Sequence, residues 1–248
     1  MYAYRASHGP VDLAFTDRFG GVSATPYDEL NLGLNTADDP VAVATNLRRL
    51  LADFAPDLDP AAGLVDMDQV HGSEVTEVDG GVSGMARRHT CDGLVTDTAD
   101  LVLLVRVADC VPVLLADPAR GLVGAVHAGR PGLATGVVPR AVAALRRRGG
   151  EELLAWLGPH VCGACYEVPV AMQAAVVARV PAAASTTSWG TPALDIGAGV
   201  RAQLEELGVT VHDVARCTRE SADLYSHRRD GERAGRLAGL VRLHKEGP

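Results

Sequence analysis

The sequence predicts a layered α+β fold in one domain, residues 1–248. Two observations carry this expectation. The middle of the chain holds four segments of strand length, several of them continuous apolar runs, with helical stripes on either side of them. Strands and helices also fail to alternate with the regularity that a doubly wound parallel sheet requires. A chain of this length buries roughly 70–75% of its unfolded surface, enough for a core without staples.

Along the chain, residues 13–17 read as a strand running into Gly20-Gly21. Asp39 reads as an N-cap with Pro40 at the first helical position. Val43, Leu47, Leu50, Leu51 and Phe54 then recur at helical spacing. Residues 93–97, 101–107, 111–116 and 122–127 read as strands, several apolar throughout, as strands buried on both faces are. Leu133, Val137, Val138, Val142 and Leu145 form one helical stripe closed by Arg146-Arg147-Arg148 and Gly149. Basic residues complement the carboxyl end of a helix dipole and glycine suits its C′ position, so this run reads as a helix end rather than a polyanion site. Further helices are expected near 168–180 and 196–207, with 181–192 as a loose connector rich in Ala, Ser and Thr.

Composition excludes several functions. A net charge of −8 is opposite in sign to the footprint of a nucleic-acid binder, so no such partner is expected. The longest apolar stretch, 100–116, is interrupted by Arg106 and Asp109 and predicts no membrane span. The first eight residues contain no apolar h-region. Five cysteines, odd in number and scattered, are unlike a secreted disulfide framework. The expected compartment is the cytoplasm.

Three short segments carry the chemistry: D-Q-V-H ending at His71, A-D-C ending at Cys110, and A-V-H-A-G around His127. Three such soft or borderline donors can hold zinc with a fourth position open, as catalytic sites do. Their wide, unequal spacing fits no local metal-binding turn, so only the fold can unite them. Asp68, Gln69 and Asp109 lie close in sequence and are candidates to fix an imidazole tautomer. Cys110 and His127 equally permit a thiolate nucleophile with a histidine base. His71, as a third donor, tilts the set toward a metal.

Other motifs are weaker. Cys162-Gly163-Ala164-Cys165 lacks both the second pair of a zinc ribbon and the βαβ start of a redox site, and reads as packing around a tight turn. Gly197-Ala198-Gly199-Val200-Arg201-Ala202 matches G-x-G-x-x-A, but a Pro- and Gly-broken segment precedes it where a dinucleotide site needs a strand. Gly129-Arg130-Pro131-Gly132 lacks the Lys-Ser/Thr ending of a phosphate loop. The zinc deaminase signature is absent, since residues 71–74 read H-G-S-E and Val161 precedes Cys162. Arg18 and Arg228-Arg229 lie beside glycines in turn-like contexts, where a guanidinium suits a phosphate or carboxylate as well as a surface ion pair.

In order along the chain stand T-D-R-F-G-G-V-S from Thr16, L-N-L-G-L-N from Leu30, D-D-P from Asp38, Q-V-H-G from Gln69, and A-D-C-V-P-V from Ala108. V-H-A-G from Val126, G-P-H from Gly158, C-Y-E-V from Cys165 and Y-S-H-R-R-D from Tyr225 follow. Together they resemble the multicopper polyphenol oxidase (laccase-like) family, also called the peptidoglycan editing factor family, now regarded as zinc-dependent purine nucleoside phosphorylases. The resemblance implies mixed central sheets flanked by helices, similar to the catalytic fold of cytotoxic necrotizing factor toxins. It implies one zinc on His71, Cys110 and His127, which are then also the catalytic residues. The activity it implies is phosphorolysis of adenosine, inosine or guanosine and methylthioadenosine, with adenosine deamination beside it. A metal-activated water with its pKa lowered toward ~7 suits attack on C6 of adenosine. Nucleoside and phosphate are the expected partners of a monomer or homodimer, with Arg18, Arg48 and Arg228 as candidates to hold phosphate.

The chain departs from the family's pattern in three places. H-A-G-W-R-G appears as His127-Ala128-Gly129-Arg130-Pro131-Gly132, the frequent Asn-Arg pair appears as Asn46-Leu47-Arg48, and His227 replaces a tyrosine. These touch the expected oxyanion and substrate contacts and leave the metal donors intact. Two competing readings stand beside the phosphorylase. One is a cysteine hydrolase editing peptidoglycan precursors through Cys110 and His127. The other is a copper-dependent oxidase of phenols, since a His-Cys-His set also accepts Cu2+.

Overall fold

The computed structural model describes residues 1–59, 63–79 and 87–245. β1 (Tyr2–His8) and β2 (Val11–Thr16) form an antiparallel hairpin. α1 (Pro40–Phe54) starts as expected, with Asp39 accepting from the Val41 N–H at 2.9 Å. The strands β3 (Leu64–Asp68), β4 (Val75–Glu77), β5 (Arg87–Thr90), β6 (Gly93–Thr96), β7 (Val102–Val107), β8 (Val111–Asp117) and β9 (Leu122–Ala128) follow. β10 (Leu154–Leu157), β13 (Thr210–Asp213) and β14 (Leu237–Leu243) complete two six-stranded sheets. Their orders are β1-β2-β14-β7-β3-β5 and β13-β10-β8-β9-β6-β4. Both sheets are mixed: β3 runs parallel to β5 and β7, and β10 runs parallel to β13, while most other pairs are antiparallel.

Layering follows from the burial pattern. Leu13, Phe15, Leu103 and Val105 of the first sheet meet Leu94, Leu114, Ala125 and Trp156 of the second in one buried cluster. The opposite face of the first sheet, with Ala14, Leu104 and Leu240, packs on Leu50, Leu51 and Phe54 of α1. The opposite face of the second, with Val113, Leu115 and Val126, packs on the helical stripe from Leu133 to Leu145. Each central strand therefore has an apolar neighbour on both faces, which is why its sequence reads as a continuous apolar run instead of an alternating one.

Three details differ from expectation. The single stripe from Leu133 to Leu145 is two helices, α2 (Arg130–Thr135) and α3 (Val137–Arg147), because Gly136 between them takes φ 85. All five stripe residues are buried nonetheless. In α1, Leu47 is only partly buried, and Asn46 is fully buried instead. Asn46 accepts from the Val22 N–H and donates to Ser23 Oγ, Glu29 O and Asn31 O, pinning the loop after β2. The connector 181–192 is ordered: after α4 (Val170–Val177), it contributes β11 (Ala184–Thr186), which pairs with β12 (Pro192–Leu194). α5 (Ile196–Glu206) follows, capped by Asp195 at the Ala198 N–H, and α6 (His227–Asp230) is a single turn. The Arg146–148 run ends α3, with Arg147 and Arg148 engaged by Glu77, Asp79 and Asp97.

Candidate metal centre

His71, Cys110 and His127 converge from three different connections. His71 follows β3 in the turn that precedes β4, Cys110 sits in the tight turn between β7 and β8, and His127 is near the end of β9. One ligand atom from each lies within 4.8 Å of the other two. His71 Nε2 is 3.7 Å from Cys110 Sγ, and the two imidazoles meet edge to face at 4.7 Å between centroids. Gly129 is obligatory here: a Cβ would stand 2.7 Å from the His71 ring and 3.2 Å from Cys110 Sγ.

The backbone is strained where the donors emerge. His71 takes φ 58 and Asp109, just before Cys110, takes φ 87. Non-glycine residues in this region cost about 1–3 kcal/mol each and persist only where surrounding contacts hold them. For His71 those contacts come from Asp92, which is fully buried. Its Oδ1 accepts from the His71 N–H at 3.0 Å, and its Oδ2 from the Gly72 N–H at 2.6 Å. Oδ1 also lies 2.7 Å from His127 Nδ1. A proton held on Nδ1 by this contact leaves Nε2 of His127 as the candidate ligand atom.

Asp92 was not among the candidates for this role. Asp109 turns away from the imidazoles to accept from Thr218 Oγ1 at 2.6 Å and from the Arg228 N–H. Gln69 bridges to both backbone groups of Arg106, and Asp68 pairs with Arg88 at 3.5 Å. The sequence signal for Asp92 was thin: one acidic residue immediately before an apolar strand, distant from all three donors.

Burial opposes ionisation of the Cys110 thiol, but His127 and then His71 outweigh it and bring the thiol down to about 6. His127 moves in the opposite direction: burial disfavours its charge, yet Cys110 and Asp92 hold it up to about 9. Both directions favour a thiolate beside an imidazolium. A divalent cation fits by displacing the shared proton, and the soft sulfur with two imidazoles matches zinc or copper chemistry.

The donors face a cavity of about 910 Å³. Arg228 lines it and packs over the Tyr166 ring at 4.8 Å. Arg18 and Arg48 do not line it. Arg18 lies over the Tyr225 ring and donates to Asp28 O, while Arg48 is exposed on α1 and donates to Thr45. Arg130 and Arg236 line the cavity instead. Among the described residues no carboxylate pairs with the guanidinium of Arg130, Arg228 or Arg236. Arg106 also reaches the cavity but is bound to Asp66. Asn-Leu-Arg in α1 thus supplies a structural asparagine, and Arg130 in the altered H-A-G-R-P-G segment supplies a cavity cation. The G-x-G-x-x-A match lies within α5, where the His160 ring fills the space over Gly197 that a pyrophosphate would need.

Fold and site together define a class. The chain belongs to the family described as multi-copper polyphenol oxidoreductase laccase, whose model matches residues 12–244. Its similar relatives include a purine nucleoside phosphorylase of Streptomyces coelicolor, 53% identical across 98% of this chain and 100% of the relative. A purine nucleoside phosphorylase of Mycobacterium tuberculosis is 47% identical across 91% of this chain and 89% of the relative. Among solved structures, YlmD from Geobacillus stearothermophilus superposes with a TM-score of 0.84 at 31% identity, covering 95% of this chain and 93% of that one. A Neisseria meningitidis protein gives 0.83 at 31% identity, covering 98% and 99%. Among the described residues, no helix is long and apolar enough to cross a membrane.

Proposed function

We propose that this chain is a zinc-dependent purine nucleoside phosphorylase with adenosine deaminase activity, acting on adenosine, inosine or guanosine and methylthioadenosine. One observation carries the reading: a three-donor set and three guanidinium groups without carboxylate partners face the same cavity. Its volume is in the range of small-ligand sites. The names of the relatives support phosphorolysis.

Zinc on His71, Cys110 and His127 would keep an open fourth position and supply Lewis acidity there. The chain's own residues do the rest. Arg130, Arg228 and Arg236 bind phosphate through charge-assisted hydrogen bonds, and Tyr166 offers an aromatic wall to the purine. In phosphorolysis the C1′–N9 bond breaks, an oxygen of hydrogen phosphate bonds to C1′, and the purine leaves with the electron pair and takes up the proton that the phosphate gives up. Asp92 keeps the His127 Nδ1 proton in place throughout. The enzyme works as one domain in the cytoplasm, as a monomer or homodimer, with neither nucleic acid nor membrane as partner.

The test is product analysis with and without phosphate. Adenosine with phosphate should yield adenine, and without phosphate only inosine. His71→Ala should lower both by more than about 100-fold. If neither adenine, hypoxanthine nor inosine forms above the blank, or if His71→Ala matches wild type, the reading fails.

A second reading has its own support. Cys110, His127 and Asp92 form a thiolate–imidazolium–carboxylate row, the arrangement of a cysteine hydrolase. Metal analysis separates the two, because a stoichiometric zinc that disappears in Cys110→Ala leaves no free nucleophile.

A further inference from the structure

The C-x-x-C segment does make a tight turn, with the Cys165 and Tyr166 N–H groups both donating to Cys162 O, at 3.0 and 3.1 Å. It does not stand alone. A bridge between His160 and Cys217 lays a distant segment alongside it, with the His160 N–H donating to Arg216 O and the Thr218 N–H to His160 O. One turn further on, Glu220 Oε1 accepts from Cys165 Sγ at 3.4 Å. Ligand atoms of Cys162, Cys165, Cys217 and Glu220 all lie within 4.8 Å of one another, and all three cysteines are free.

Hydrogen-bond donors point at two of the three sulfurs. The Cys162 N–H points at Cys217 Sγ (3.5 Å) and the Arg219 guanidinium at Cys165 Sγ (3.6 Å). A tetrahedral zinc with bonds of about 2.3 Å places its sulfurs roughly 3.8 Å apart, inside the 4.8 Å that bounds this cluster.

We propose that Cys162, Cys165, Cys217 and Glu220 form a second metal site, structural in kind, for a thiophilic divalent cation such as zinc. Three thiolates and a carboxylate close the tetrahedron, in contrast to the open set at His71, Cys110 and His127. The bound cation staples segment 160–166 to segment 216–221. The first carries Val161 and Tyr166 of the cavity wall. The second carries Thr218, which holds Asp109 beside Cys110. The site thereby fixes the wall without contacting substrate. It stands independently of the phosphorylase reading.

The experiment is metal analysis of the full chain, purified under reducing conditions without chelator. Wild type should carry two zinc equivalents, with one left in Cys217→Ser and one left in Cys110→Ala. A single equivalent in wild type, abolished by Cys110→Ala, overturns the proposal. Should Cys217→Ser fail to fold, cobalt titration of Cys110→Ala decides, because thiolate-to-cobalt charge-transfer absorption there cannot come from the first site. Such absorption, lost when Cys162 and Cys165 are alkylated beforehand, supports the cluster. Its absence overturns the proposal, as does a mass lowered by two hydrogens with two of the three cysteines refusing alkylation, which identifies a disulfide.

Discussion

Asp92 makes four contacts with one carboxylate, three to the turn that carries His71 and one to His127, and together they fix the candidate metal centre. The His71 and Gly72 N–H groups hold the strained turn, and the His127 Nδ1 contact sets the ring. Asp92→Asn keeps the shape but places an NH2 group opposite donors. We expect metal affinity to fall by roughly 10–100-fold, read by competition with a chromophoric chelator. Unchanged affinity would show that the carboxylate does not orient the ligands.

At the scale of elements, Gly136 decides that one apolar stripe becomes two helices. Its φ of 85 turns the chain so that α2 leaves the Arg130 and Pro131 end at the cavity while α3 lies along β9. A Cβ at Gly136 would meet nothing within 4 Å, so substitution tests conformation alone. Gly136→Ala should cost about 1–2 kcal/mol in urea denaturation, the penalty for a left-handed non-glycine residue. Helical spacing of Leu133 through Leu145 survives the break because both helices bury the same stripe. Periodicity therefore reported burial correctly and continuity incorrectly. The strands were legible for a related reason: with a sheet on one face and a helix on the other, burial is continuous along their length.

At the scale of the whole molecule, Arg242 of β14 is buried and joins two connections distant in sequence, through Asp57 and Asp100. The Arg242 hydrogen bonds, opposed by slight burial, lower Asp57 from 3.8 to about 2. A carboxyl depressed in the folded state adds stability above its ordinary value and loses it as pH falls through the folded value. The stability difference between wild type and Asp57→Asn should thus be complete above about pH 4 and close toward pH 2. Denaturation midpoints across that range check it, and a gap undiminished at pH 2 would contradict the ion pair as its source.

The layered α+β architecture, the central strands and the three convergent donors were present in the sequence, because burial writes itself into hydropathy and soft ligands are few. The partners of those donors were not. Asp92, Arg130 and Arg236 are ordinary charged residues until the turns around them are in place, and Cys217 is unremarkable until a bridge at His160 sets it beside a C-x-x-C. Arg18 and Arg48 looked equally suited to an anion, yet packing on Tyr225 and exposure on α1 keep both out of the cavity lining. Local chemistry chose which residues can act; only the crossing of two sheets, joining segments far apart along the chain, decided which of them meet.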